Sequence, residues 1–115
     1  GITLSNRSGN LSNAEYKIKP LKESLKKNCT YPSYTFFIDY NGDSQMCSHD
    51  WGKKMIMGNV KNNTIKEIWT SKKFDFARKK LSNADRNFSP CNVCDVNGSL
   101  IGKKHAECWS KIINE

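Results

Sequence analysis

Polar positions dominate the first 28 residues without a sustained period. Ser, Asn and Gly recur between residues 6 and 13, and the apolar positions there neither alternate nor repeat at helical spacing. This predicts a flexible lead-in over residues 1–15, with order beginning near Tyr16. Residues 34–39 are dense in aromatic and β-branched side chains, and they run through Tyr40-Asn41-Gly42-Asp43 into Ser44-Gln45-Met46-Cys47. The pattern predicts a β-hairpin with Asn41-Gly42 at its tip, because both positions tolerate φ > 0. Such a hairpin brings Cys29, just before the first strand, back toward Cys47 at the end of the second, with a pocket at its open end.

After a basic, Gly-containing connection the period changes. Thr64-Ile65-Lys66-Glu67 reads as a capping box that starts a helix with Ile65, Ile68 and Trp69 on one face. A second amphipathic segment over residues 73–81 turns Phe74, Ala77 and Leu81 inward and Arg78, Lys79 and Lys80 outward. Both helices are expected to cover the hairpin. Asn87-Phe88-Ser89-Pro90 then breaks the helix and delivers Cys91-Asn92-Val93-Cys94 ahead of the turn-forming Asp95-Val96-Asn97-Gly98. Residues 103–113 predict a closing helix carrying Cys108, with Ala106, Trp109 and Ile113 inward.

A chain of 115 residues makes one domain. Its 37% hydrophobic content and mean hydropathy of −0.72 leave a small core that an added staple would help. The five cysteines supply one, and their odd number argues against a secreted framework in which every thiol is paired. No apolar run is long enough to span a bilayer, and residues 1–5 lack the charged and apolar regions of a secretory signal, so the expected location is the cytoplasm. Asn-x-Ser/Thr triplets such as Asn62-Asn63-Thr64 are read as chance matches.

The net charge of +8 brings nucleic acid into consideration. The lysine pairs at 26–27, 53–54, 72–73, 79–80 and 103–104 are spread along the chain rather than gathered in one helix or arm, and no aromatic and basic pattern of an RNA-reading sheet accompanies them. They are read as a solvated surface, some of it offsetting a buried anionic centre.

Cys29, Cys47, Cys91 and Cys94 are the candidate ligands of one metal centre. A hairpin end and a Cys-x-x-Cys loop supply two ligand pairs that converge from different parts of the chain, as a four-thiolate site needs. A thioredoxin-like redox pair wants a preceding parallel strand and a helix starting at its first cysteine, and Pro90 and Asn97-Gly98 speak against that context. Four thiolates satisfy zinc or iron equally, so spacing leaves both open.

From Cys29 to Trp109 the chain resembles the SPASM domain, the auxiliary-cluster module of radical S-adenosylmethionine (SAM) enzymes, and within it the shortened one-cluster twitch form. The resemblance is carried by Cys29-Thr30-Tyr31-Pro32, by Phe37-Ile38-Asp39-Tyr40-Asn41-Gly42-Asp43 running to Met46-Cys47, by Gly58-Asn59-Val60 with Ile65-Lys66-Glu67-Ile68-Trp69, and by Arg86 through Pro90-Cys91-Asn92-Val93-Cys94-Asp95. It implies one [4Fe–4S] cluster on the four cysteines, serving electron transfer or substrate-pocket formation, with zinc possible in an aerobic preparation. The alternative is a small zinc-stabilised binding module.

Where the full SPASM pattern places further ligands, this chain has Leu100 and Lys104, so a single cluster is expected and Cys108 is read as a free thiol. A Cys-x-x-x-Cys-x-x-Cys motif for the SAM-cleaving cluster is absent from the sequence. The resemblance therefore implies a radical SAM core in cis or trans that binds SAM, and no catalysis by this chain alone. The expected fold is α+β: a small β-hairpin followed by helices around the four-cysteine site, with residues 1–15 as lead-in and 16–115 as the cluster domain. His49, Asp50 and Trp51 are read as a turn that bonds to local backbone and packs, ahead of the alternative that they contact the cluster or substrate, His105 as a surface residue or cap, and Trp69 and Trp109 as core.

Overall fold

The computed structural model describes residues 5–99 and 102–113. In chain order the elements are α1 (Tyr31–Tyr34), β1 (Phe37–Ile38), β2 (Asp43–Gln45), β3 (Ile56–Asn59), α2 (Ile65–Trp69), α3 (Lys72–Ser82), a 3₁₀ turn (Cys91–Val93) and α4 (Lys103–Ile113). The class is α+β as expected, but the hairpin is part of a three-stranded antiparallel sheet in the order β1-β2-β3.

The β1–β2 turn follows the Asn-Gly signal with one difference. Gly42 takes φ +87° while Asn41 stays on the ordinary side. The Asp39 carboxylate closes the loop by accepting from the amides of Asn41 and Asp43 at 3.1 and 3.2 Å. Phe37 lies opposite Gln45 and Ile38 opposite Ser44.

The first strand is shorter than the aromatic run suggests. Pro32 sits in the first turn of α1, where its missing N–H costs nothing, so Tyr34 ends a helix instead of beginning a strand. Phe37 and Ile38 remain exposed, and Phe36 is the residue of this run that packs on the core.

β3 arises in the segment read as a basic connection. It pairs Asp43 with Asn59 and Ser44 with Gly58, and an irregularity between Ser44 and Gln45 sets Gln45 opposite Ile56. Met57 is the residue of β3 that is buried.

The helices explain where the core sits. Thr64 and Glu67 form the reciprocal capping box at 3.1 and 3.0 Å, and Ser71 caps α3. Phe74, Ala77 and Leu81, at helical spacing on α3, are buried against Met46, Met57, Ile68 and Cys91. Ile65 does not join them and is 54% exposed, because a five-residue helix turns only Ile68 fully onto the sheet. Arg78 folds back over Trp69 and Phe74 and donates to the carbonyls of Pro32 and Trp69 at 3.0 and 2.7 Å, tying α1 and α2 to α3.

Two further expectations change. Residues 6–13, read as flexible, contain Asn6 and Ser8, both buried. The Asn6 amide donates to the carbonyls of Lys19 and Val93 at 2.9 and 2.6 Å, anchoring this segment to the Cys-x-x-Cys loop. Trp109 on α4 is half-exposed rather than inward, its indole N–H donating to His105 Nε2 at 2.6 Å. The side chains of Ala106 and Ile113, and residue Leu100, lie outside the described residues, whereas Lys104 is exposed on α4.

Candidate metal centre

Each of the four cysteines is delivered by a different local device. Cys29 stands at the end of an extended segment, its amide donating to the Leu81 carbonyl at the end of α3 at 3.3 Å. Cys47 leaves β2 directly after the buried Met46. Cys91 opens the 3₁₀ turn, and Cys94 closes it by donating its amide to the Cys91 carbonyl at 3.3 Å. All four line one cavity, whose wall also includes Tyr31, Met46, His49, Leu81, Arg86 and Val96. Cys47, Cys91 and Cys94 are buried and Cys29 is half-buried, whereas Cys108 lies exposed on α4.

Peptide N–H groups act on three of the sulfurs. The amide of Val96 donates to Cys94 Sγ at 3.5 Å, and the amides of Tyr31 near Cys29 and of His49 and Asp50 near Cys47 act to lower those thiols. Donors aimed at sulfur favour the thiolate that a metal needs. Burial opposes them: it pushes the Cys47 thiol up to about 12, and raises Cys91 and, from its half-buried position, Cys29. The guanidinium of Arg86 works in the opposite direction on Cys29 and Cys91.

Two other wall residues have roles beyond those the sequence reading favoured. The His49 ring stacks on Tyr31 at 5.2 Å, and its buried Nδ1 has no hydrogen-bond partner. Burial, reinforced by the charge of Arg7, keeps this imidazole below its ordinary value. His49 thus departs from the expected turn role, while Asp50 fulfils it by accepting from the amides of Lys54 and Met55 at 3.0 Å each. Trp51 is exposed beneath the guanidinium of Arg7 instead of packed inward.

Arg86 is the second. It is buried and donates to four backbone carbonyls: Lys27 at 2.8 Å, Asn28 at 3.1 Å, Val96 at 2.7 Å and Asn97 at 3.2 Å. Only its place at the edge of the cysteine motif hinted at a role.

The donor set fits an iron–sulfur cluster: four thiols in one cavity, amides directed at sulfur, apolar walls and a buried cation. Among the described residues no group of three or more His, Cys, Asp or Glu could hold a single metal ion. No helix among them is long and apolar enough to cross a membrane.

Comparisons with known proteins agree with this chemistry. A SAM-dependent 2-deoxy-scyllo-inosamine dehydrogenase from Niallia circulans is 33% identical over 95 residues, which cover 82% of this chain and 36% of the dehydrogenase. The crystal structure of BtrN in complex with AdoMet and 2-DOIA superposes with a TM-score of 0.67 at 31% identity, over 83% of this chain and 35% of that one. An open conformation of BtrN, at 23% identity and a TM-score of 0.56, covers 78% of this chain and 47% of its own and shares the fold. The chain thus spans about a third of the length of the dehydrogenase. The model of the SPASM iron–sulfur cluster-binding domain matches residues 29–95, more than half of the chain and a span that contains the four cavity cysteines but not Cys108. The chain belongs to the SPASM family of iron–sulfur cluster-binding domains.

Proposed function

We propose that this chain is the auxiliary-cluster domain of a radical SAM enzyme and holds one [4Fe–4S] cluster through Cys29, Cys47, Cys91 and Cys94. The observation that carries the reading is the shared cavity: four cysteines spread over 66 residues of sequence line one apolar-walled space inside the span matched by the family. A single zinc ion would draw its sulfurs to about 2.3 Å from one point. Four thiolates could serve either metal, and the match of residues 29–95 to an iron–sulfur cluster-binding domain favours the cluster.

When bound, the cluster supplies a one-electron acceptor, the chemistry of a relay that oxidises a substrate radical. The chain's own residues hold it and regulate access. Met46, Leu81 and Val96 exclude water from the buried side, the amides of Tyr31, His49 and Asp50 favour thiolate at Cys29 and Cys47, and the Val96 amide donates to Cys94 Sγ. The half-buried Cys29 marks the more accessible edge, where a substrate pocket shared with another domain would form.

SAM cleavage belongs to a core domain, in cis or in trans, because this chain lacks the three-cysteine motif that the chemistry requires. The chain matches only about a third of the dehydrogenase's length, which leaves room for such a core. In this reading residues 1–15 lead from the core into a cluster domain over 16–115, and the oxygen-sensitive centre and free thiols suit the cytoplasm.

The test is iron and acid-labile sulfide analysis with a UV–visible spectrum on the chain purified without oxygen. About four iron and four sulfide per chain, with broad absorption that bleaches on reduction, are expected. One zinc and no sulfide, persisting after anaerobic reconstitution, would overturn the proposal in favour of a zinc-stabilised binding module.

A further inference from the structure

Among the described residues Arg86 is the buried cation, and its environment is unusual for a guanidinium. Burying an ion is costly unless it is paired and hydrogen-bonded. Among the described residues no carboxylate forms an ion pair with Arg86; the four partners it reaches are backbone carbonyls. Carbonyl dipoles satisfy the N–H groups but leave the unit charge without a counter-charge. The cavity itself is where such a counter-charge would sit, since Arg86 forms part of the same wall as the four cysteines.

The carbonyls fall into two pairs with a clear relation to the ligands. Lys27 and Asn28 immediately precede Cys29, and Val96 and Asn97 closely follow Cys94. One planar fork therefore joins the segment carrying the first cysteine to the segment carrying the last. The Thr30 amide and hydroxyl reinforce the junction by donating to the Gly98 carbonyl at 2.8 and 2.7 Å.

We infer that Arg86 is a positioning residue for the cluster, clamping the Cys29 and Cys94 segments together and placing a fixed positive charge beside the bound anionic centre. The inference rests on the cluster reading above. Four thiolates around a [4Fe–4S]²⁺ core carry a net negative charge that grows by one on reduction, so a neighbouring cation stabilises the reduced form more than the oxidised one. Removing the charge makes the cluster harder to reduce.

The experiment compares wild-type chain, Arg86→Gln and Arg86→Lys after anaerobic reconstitution, reading iron and sulfide per chain and the midpoint potential. A wild-type chain that takes up no cluster refutes the parent reading, whereas the arginine inference is judged on variants against a loaded wild type. The inference is supported if Arg86→Gln has a more negative potential and Arg86→Lys lies near wild type. It is also supported if Gln abolishes loading while Lys preserves it. A fully loaded Arg86→Gln with unchanged potential overturns it. So does a loaded lysine variant whose potential falls as far as that of glutamine, because the charge would then be irrelevant; loss of the cluster from both variants supports the clamp, since lysine keeps the charge but not the planar fork.

Discussion

Asn6 and Asp95, 89 residues apart, hold each other from both sides: the Asn6 amide donates to Asp95 Oδ1 at 2.7 Å, and the Asp95 amide donates to Asn6 Oδ1 at 3.2 Å. Asp95 directly follows Cys94, so a residue from the polar N-terminal stretch closes over the Cys-x-x-Cys loop. The Asn6 side chain also bonds to Lys19, Val93 and Gly9, which leaves this buried amide satisfied.

Asn6→Ala removes that network and strands the buried groups that faced it. A loss of about 1–3 kcal/mol is expected. It should appear in urea unfolding as a lower midpoint at unchanged slope, with less iron retained per chain on dilution.

Gly98 takes φ +73°, and a Cβ there would lie 2.8 Å from both the Cα and the Sγ of Cys29. Gly98→Ala incurs about 1–2 kcal/mol for the left-handed backbone alone, with the clash in addition. Because the obstructed atom belongs to a ligand, iron content after reconstitution should fall as well as the melting temperature. Normal loading would mean that Cys29 can move aside without consequence.

Phe74 is fully buried, stacking on Phe36 at 6.0 Å and packing at a tilt against Trp69 at 5.6 Å. Phe74→Ala should cost about 3–5 kcal/mol, enough to threaten folding in a domain this small. Ile65→Ala, on the exposed side of α2, should change stability by no more than about 0.5 kcal/mol in the same denaturation assay.

The hairpin turn should loosen in acid. A hydrogen bond and ion pair from Lys53 hold the Asp39 carboxyl below its ordinary value of 3.8, with the amides of Asn41 and Asp43 contributing. A depressed folded value means that the stabilisation is in place above about pH 4 and is lost as the pH falls through the lower folded value. Amide exchange at Gly42 and Asp43 should accelerate over that range, and Asp39→Asn should remove the pH dependence.

Local chemistry accounts for what was legible early. The Thr64–Glu67 box, the inward Phe74, Ala77 and Leu81, and the Gly42 turn each depend on residues within a few positions of one another, so their spacing alone specifies them. Ile65 and Trp109 show the limit of periodicity, which identifies an apolar face but not whether another element arrives to cover it. β3 was obscured for the opposite reason: its pairing partner, β2, is set by the neighbouring turn and not by any alternation of its own.

By itself the sequence determined the α+β class, the capped helices and four cysteines in a family-specific order, because these follow from local preference and spacing. Only the tertiary structure decided that Asn6 seals the Cys-x-x-Cys loop, that Arg86 joins the segments bearing Cys29 and Cys94, and that His49 stacks on Tyr31 at the same cavity. Those contacts connect positions separated by 10 to 89 residues or turn on which backbone carbonyl faces which donor, and no periodicity along a chain encodes that.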